Sequence, residues 1–389
     1  MRGTSTLANS IERSGIRDLM DLAREMTGPI VHLEVGEPNF DTPPHIVEAA
    51  FEQVAAGATH YTPSLGIMPL RKAIAERYTA KWGKPVTPQM TNVTHGGVNA
   101  INSTILALIN AGDEVLVPDP GWPNYRSILS LVGGIPVQYP MSIENGYEPQ
   151  RATLEALITP RTRMIITCNP GNPTGAVWSR ETVQMVIDLA KEHDLYVLSD
   201  EIYEELVFEG EHIPAATLDD DDRVITVSGF SKTYAMTGWR LGWVLASEDL
   251  IGAINRMMEP LISCASSVSQ AAGVAALTGP QDAVGEMRTA YKRRRDIAAS
   301  ILEPAGMLPV RPAGAFYAIV DFSQTGIPSR QLALDLLKET RVACAPGDTF
   351  GKILADGYVR ISLASSDDDV REGCTRLVAF RDSKPARQR

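Results

Sequence analysis

Residues 164–203 read MIITCNPGNPTGAVWSRETVQMVIDLAKEHDLYVLSDEIY, and this stretch decides the fold class. It opens on a short apolar run rich in β-branched residues (164–167) and closes on a second one (196–199). Between them, Val183, Val186, Ile187 and Ala190 fall at i, i+3, i+4 and i+7 of segment 181–193, the spacing of one helix face. Strand, helix and strand in that order form a crossover unit whose two strands run parallel. The rhythm continues outward, with apolar runs at 114–118, 224–227 and 243–246 and helical patterns between several of them. The expected fold is therefore α/β, a large domain with a mostly parallel sheet flanked by helices. From about residue 291 the pattern turns to mixed helix and strand, ending in an apolar run at 358–363. We expect a large domain over 45–288, and a smaller α/β domain made of 289–389 together with 1–44.

A length of 389 residues agrees with two domains. At 44% hydrophobic and 21% charged the chain can bury a sizeable core. Its 36 Lys and Arg against 47 Asp and Glu give a net charge of −11, which leaves no global field for gripping nucleic acid or an anionic membrane. An anionic ligand must be held by a local positive pocket. The four cysteines, Cys168, Cys264, Cys344 and Cys374, are too scattered for a disulfide framework or a zinc site. Residues 1–11 hold no apolar run of the secretory type, and the uncharged stretch 260–281 is too rich in Ser, Gly and Gln to span a membrane. The expected address is the cytoplasm. The Asp runs at 219–222 and 367–369 read as solvated loop or helix starts, so no metal is expected, and the basic run 292–295 reads as an exposed helix face.

Ligands of open parallel sheets bind beyond the carboxyl ends of the strands, so the residues that follow each strand matter most. After 164–167 come Asn169-Pro170-Gly171-Asn172-Pro173-Thr174-Gly175; after 196–199 come Asp200, Glu201, Ile202 and Tyr203. The run 224–227 leads into Gly229-Phe230-Ser231-Lys232, with Arg240 eight residues beyond the lysine. Upstream, Val93 and Thr94 lead into Gly96-Gly97-Val98 and a helical pattern at 100–108. Each has a plain reading alone. A Gly pair makes a turn, Asp200 caps a helix, Lys232 sits on a surface, Asn172-Pro173 makes a turn and Trp122 fills a core. Each also has a chemical one. Bare N–H groups at a helix N-terminus cradle a phosphate, and a lysine amine condenses with an aldehyde once deprotonated.

Together these segments resemble the fold-type I pyridoxal-phosphate enzymes of the class I/II aminotransferase family, over nearly the whole chain. The resemblance rests on Gly36-Glu37-Pro38, Tyr61-Thr62-Pro63-Ser64-Leu65-Gly66, Gly96-Gly97, the 169–175 segment, Asp200-Glu201-Ile202-Tyr203, Ser231-Lys232 through Arg240, and Tyr358-Val359-Arg360, all in family order. It implies pyridoxal 5′-phosphate held covalently by Lys232, which also shuttles a proton between substrate Cα and cofactor C4′. Asp200 would pair with the ring nitrogen, Tyr203 and Asn172 would bond the ring's phenolic oxygen, and Trp122 would stack on the ring. Gly96, Gly97, Val98, Ser231 and Arg240 would hold the phosphate, with Tyr61 reaching across from the second subunit of a homodimer. Arg360 would take the substrate α-carboxylate, assisted by Asn172 and the backbone of Gly36. The chain departs from some relatives at Gly229, where they carry a hydroxyl that bonds the phosphate.

The fold alone does not fix the reaction. Transamination between an amino acid and a 2-oxo acid leads. A C–S lyase or an elimination enzyme similar to aminocyclopropane-carboxylate synthase is the catalytic alternative. A cofactor-binding sensor domain is the non-catalytic one, but it needs a DNA-binding partner domain that the residues before Gly36 are too few to form. At the position of Val98, relatives specialised for acidic substrates can carry a base for the distal carboxylate. Val98 is apolar here, and Ile16 adds apolar surface near the expected entrance, so an apolar, aromatic or small amino donor is expected.

Overall fold

The structure is a computed structural model that describes residues 3–11 and 15–384. Its main sheet has seven strands in the order Thr91–Thr94, Gly242–Leu245, Val224–Gly229, Tyr196–Asp200, Thr162–Cys168, Glu114–Asp119, Ile135–Pro140. All are parallel except Gly242–Leu245, which runs antiparallel to both its neighbours. The five runs read from sequence all form strands, each lengthened or shifted by one to three residues. The 181–193 pattern forms the helix Arg180–Glu192, started by Ser179, whose side chain accepts the Thr182 N–H.

Apart from the edge strand Ile135–Pro140, the strands are buried on both faces along most of their length, as a sheet of this kind requires. Val115, Val117, Met164, Ile166, Leu198 and Ile225 pack with Ile101, Ile105, Ile128, Ile251 and Ile254, which belong to Gly97–Leu108, Asn124–Val132 and Glu248–Ile262. On the other face Leu116, Ile165 and Val197 meet Val183, Val186, Ile187 and Ala190 of Arg180–Glu192. The reversed strand has a local effect. Because it runs backwards, its beginning lies at the rim where the parallel strands end. Gly242 pairs there with both Thr94 and Gly229. A Cβ on Gly242 would come 2.8 Å from Gly96 C and Gly97 N and 3.0 Å from Ser228 O, so three backbones meet at one point of the rim.

A second, three-stranded antiparallel sheet joins Ala345–Pro346, Tyr358–Ser362 and Tyr317–Asp321. Beside it Val31–His32 pairs in parallel with Val342–Ala343, so the N-terminal segment is tied to the C-terminal part. The helices Asp282–Leu302 and Asp367–Ser383 pack in the same core, through residues such as Tyr291, Leu302, Val370 and Leu377. No helix of the described residues is long and apolar enough to cross a membrane. The Asp run at 367–369 opens a helix capped by Ser366, where acidic groups complement the helix dipole. The run at 219–222 is a turn whose Asp219, Asp220 and Asp221 bond Val224 N–H, Lys191 and Arg223. The basic run 292–295 is only half an exposed face. Lys292 and Arg293 are exposed, but Arg294 and Arg295 are buried. Arg295 donates to the Pro312 carbonyl at 2.7 Å and pairs with Glu209 at 2.8 Å, while Arg294 bonds Asp367 and Asn39.

Candidate active site

Lys232 follows the strand Val224–Gly229 within the one-turn helix Phe230–Thr233. Its part-buried amine donates to the Gly36 carbonyl at 2.6 Å. Burial pulls the amine down to about 8, and Arg360 and Arg240 push the same way against Glu37 and Asp200. Ser231 is buried beside it. Gly36 must be glycine, since a Cβ there would overlap the Tyr317 hydroxyl at 1.8 Å. That hydroxyl in turn shares a 2.9 Å hydrogen bond with the hydroxyl of Tyr203.

Asp200 ends its strand, 5% exposed. One oxygen accepts the Tyr125 hydroxyl at 2.6 Å and the other the Ile202 N–H at 3.3 Å. Burial pushes its carboxyl up to about 6, against the lowering effect of those bonds. Tyr125 also meets Trp122 edge to face, with ring centroids 5.3 Å apart. The 169–178 loop closes on itself through Gly171 N–H to Ala176 O and Trp178 N–H to Asn169 Oδ1, which sets Asn172 facing Arg360. Arg360 lies on Tyr358–Ser362, and its Nη1 donates to Asn172 Oδ1 at 3.1 Å and its Nη2 to Glu34 O at 2.5 Å. The guanidinium lies 4.3 Å from the ring centroid of Tyr317 and 4.8 Å from that of Phe350. Its Nε is buried without a hydrogen-bond partner, and burial draws its pKa down.

At the third corner, Gly96 has φ 79° and precedes the helix Gly97–Leu108, whose first-turn N–H groups include those of Gly97 and Val98. A Cβ on Gly96 would stand 2.7 Å from Arg240 Nη2, so the glycine admits the guanidinium to the helix start. Gly229 lacks a hydroxyl, and a Cβ there would press on Leu241 O at 3.0 Å.

The structure thus brings Lys232, Gly36, Tyr203, Asn172 and Arg360 into one linked cluster through Tyr317, joins Asp200 to Trp122 through Tyr125, and sets Arg240 against Gly96. It leaves three residues apart. Tyr61 is 93% exposed and Val98 39%. Ile16, half-buried in the helix Gly15–Glu25, is linked only indirectly: a Cβ on Gly15 would touch Thr349, the neighbour of Phe350. Sequence reading missed Tyr125, Tyr317 and Phe350. Tyr125 had a signal, one helical turn beyond Trp122; the other two sit in no local pattern. It also missed a buried group, Glu201, Glu204 and His212, with ligand atoms within 4.8 Å of one another. Those carboxylates are already engaged, Glu204 by Tyr78, Ser228 and Lys81, Glu201 by Ser199, Ala215 N–H and His212.

The site fits pyridoxal phosphate. Asp200 is a buried acid bonded by neutral donors, and among the described residues it has no ion-pair partner, which a protonated ring nitrogen would supply. Gly96, Arg240 and the helix start suit a phosphate.

The sequence signature of aminotransferase class I and II matches residues 28–377. The aromatic-amino-acid aminotransferase 2 of Thermococcus litoralis is 39% identical, over 94% of this chain and 95% of its own. The aspartate/prephenate aminotransferase of Thermus thermophilus is 37% identical, over 97% and 98%. Among solved structures, the aspartate aminotransferase from Thermus thermophilus with maleate superposes with a TM-score of 0.93 at 37% identity, covering 97% of this chain and 100% of that one. Likeness of this extent, on a site whose parts suit the cofactor, puts the chain in the class I and II aminotransferases, fold-type I enzymes that depend on pyridoxal 5′-phosphate to move an amino group between an amino acid and a 2-oxo acid.

Proposed function

We propose that Lys232 carries the cofactor and acts as the proton-transfer base in an aminotransferase for donors with apolar, aromatic or small side chains. The observation that carries the site assignment is a pair of buried opposite charges, Asp200 and Arg360. Neither has an ion-pair partner among the described residues, and both act electrostatically on one depressed lysine. When bound, pyridoxal phosphate supplies an electron-withdrawing ring that makes the Cα–H bond of the amino acid acidic. The chain does the rest. Gly96, Gly97, Val98, Ser231 and Arg240 would hold the phosphate, Trp122 would lie against the ring, and Asp200 would keep the ring nitrogen protonated. Tyr203 and Asn172 would bond the phenolic oxygen. Arg360 fixes the α-carboxylate through its planar fork, which Lys cannot imitate, with Gly36 and Asn172 alongside. An amine held near 8 is neutral often enough at physiological pH to take the proton from Cα.

The same reading makes the enzyme a homodimer in which Tyr61 of the partner subunit completes each phosphate site. The near-complete exposure of Tyr61 supports it, as do the exposed side chains of Phe51, Met68 and Leu261. The pairing of Val31–His32 with Val342–Ala343 supports domains of 45–288 and of 1–44 with 289–389. Four free cysteines, three of them buried, support a reducing, cytoplasmic address. Apolar Val98 supports the substrate preference, because it offers a distal carboxylate no counter-charge. Borohydride reduction followed by peptide mass analysis tests the assignment: a pyridoxyl group is expected on Lys232, and a label on any other lysine would overturn it.

A further inference from the structure

Asp119 ends the strand Glu114–Asp119 and is buried. Its Oδ2 accepts the Lys352 N–H at 3.0 Å and its Oδ1 the Ile353 N–H at 3.3 Å. Two further bonds tie the same segments together: Gly121 N–H to the Phe350 carbonyl at 2.8 Å, and Arg126 Nη2 to the Thr349 carbonyl at 2.9 Å. Gly351 has φ 151°, and a Cβ on it would stand 2.0 Å from Asp119 Oδ1, so the loop passes the carboxylate where only glycine fits. Both sides of this clasp carry site groups. Trp122 and Tyr125 lie three and six residues after Asp119. Phe350 lies inside the clasped loop and walls the Arg360 guanidinium.

We propose that Asp119 is a positioning residue for substrate binding. By gripping the loop it holds Phe350 against Arg360 and sets the distance between the carboxylate-binding guanidinium and the Trp122 plate. The proposal rests on the reading of Arg360 as the α-carboxylate residue. An Asn at 119 keeps the shape but can accept only one of the two N–H groups, and its own NH2 faces the other donor. The loop then loosens and Arg360 loses a fixed wall. The α-carboxylate is held alike before and during reaction, so half-saturation should rise while the limiting rate stays. The clasp includes neither Lys232 nor Gly96 nor Arg240, and Trp122 stays braced by Tyr125, which bonds Asp200, so cofactor retention should not change.

The test uses the cofactor-loaded enzyme and the amino donor that the wild type uses best. Asp119→Asn, Gly351→Ala, the double variant and Arg360→Lys are compared in the first half-reaction, with hydrogen exchange measured over residues 349–354. Expected are faster exchange and a half-saturation raised about tenfold in each clasp variant, the loss of roughly one charged hydrogen bond. Limiting rates should stay within threefold, and the double variant should be no worse than the weaker single one. Faster exchange with unchanged half-saturation would make the clasp merely structural and overturn the proposal, as would loss of cofactor. If Arg360→Lys raises half-saturation and the clasp variants do not, the clasp alone falls. If Arg360→Lys has no effect, both readings fall.

Discussion

Replacing Asp200 by Asn should move stability and activity in opposite directions. The carboxyl is buried, bonded only by neutral donors, and pushed from the usual 3.8 up to about 6. A rise of roughly two units means that ionising this group costs the cofactor-free chain about 3 kcal/mol. The folded value lies above the unfolded one, so the favourable contribution is complete below about pH 4 and is lost as pH rises through about 6. Asn is neutral at every pH and escapes this loss. Its amide can turn the oxygen to the Ile202 N–H and the NH2 to the Tyr125 hydroxyl, which also accepts, and weaker bonding than a carboxyl makes takes back about 1 kcal/mol. The net gain at pH 8 is about 2 kcal/mol, or about 2–3 °C in Tm for a chain of this length. The loaded enzyme behaves oppositely. An amide cannot keep the ring nitrogen protonated, and losing about 3 kcal/mol of transition-state stabilisation slows turnover more than a hundredfold. Thermal unfolding of cofactor-free wild type and Asp200→Asn at pH 4.5 and pH 8, with kcat of the loaded forms, measures both arms. A variant no more stable at pH 8, or equally favoured at both pH values, would refute the electrostatic argument. Activity within threefold of wild type would refute the role at the ring nitrogen.

Tyr61→Phe and Lys232→Ala should each impair activity, whereas refolded mixtures should regain it by rebuilding one intact site per heterodimer; heterodimers without recovery would confine Tyr61 to its own chain. Val98→Lys should raise kcat/KM for aspartate relative to alanine, leucine and phenylalanine, and a wild type that prefers aspartate would contradict the apolar reading of that position. Gly36→Ala should force Tyr317 away from Tyr203, with a stability loss of about 1–3 kcal/mol from overpacking and a lower kcat/KM. Wild-type Tm and kcat/KM in that variant would show that the hydroxyl pair is dispensable.

The strands were legible because apolar, β-branched runs bounded by turn residues have few other uses. Strand direction was not. Nothing in the apolar run at 243–246 says that it pairs antiparallel, since periodicity records burial and not polarity along the sheet. Arg294 and Arg295 read as surface because four basic residues in a row normally are. Their burial depends on Asn39, Glu209, Pro312 and Asp367, all distant in sequence. Tyr317 and Phe350 were invisible for the same reason: each earns its place only when the second sheet is folded against the first. Contacts made within one segment were legible, and those of Tyr317 with Gly36 and of Phe350 with Arg360, made between segments distant in sequence, were not.

The reversed strand also bears on the order in which the molecule can assemble. Lys232 and Arg240 sit at the two ends of one short loop between neighbouring strands, so the cationic part of the pocket is built from near neighbours in the chain. Arg360 reaches Asn172 across 188 residues and the Glu34 carbonyl across 326. Contacts of such separation carry a large loop-closure entropy and form late. During synthesis the segment from Thr91 to Leu245 is complete well before Arg360 leaves the ribosome, while Glu34, made early, waits for a partner near the other terminus. On the site proposed above, a nascent chain therefore makes its own residues assigned to the cofactor before it makes Arg360, assigned to the substrate carboxylate.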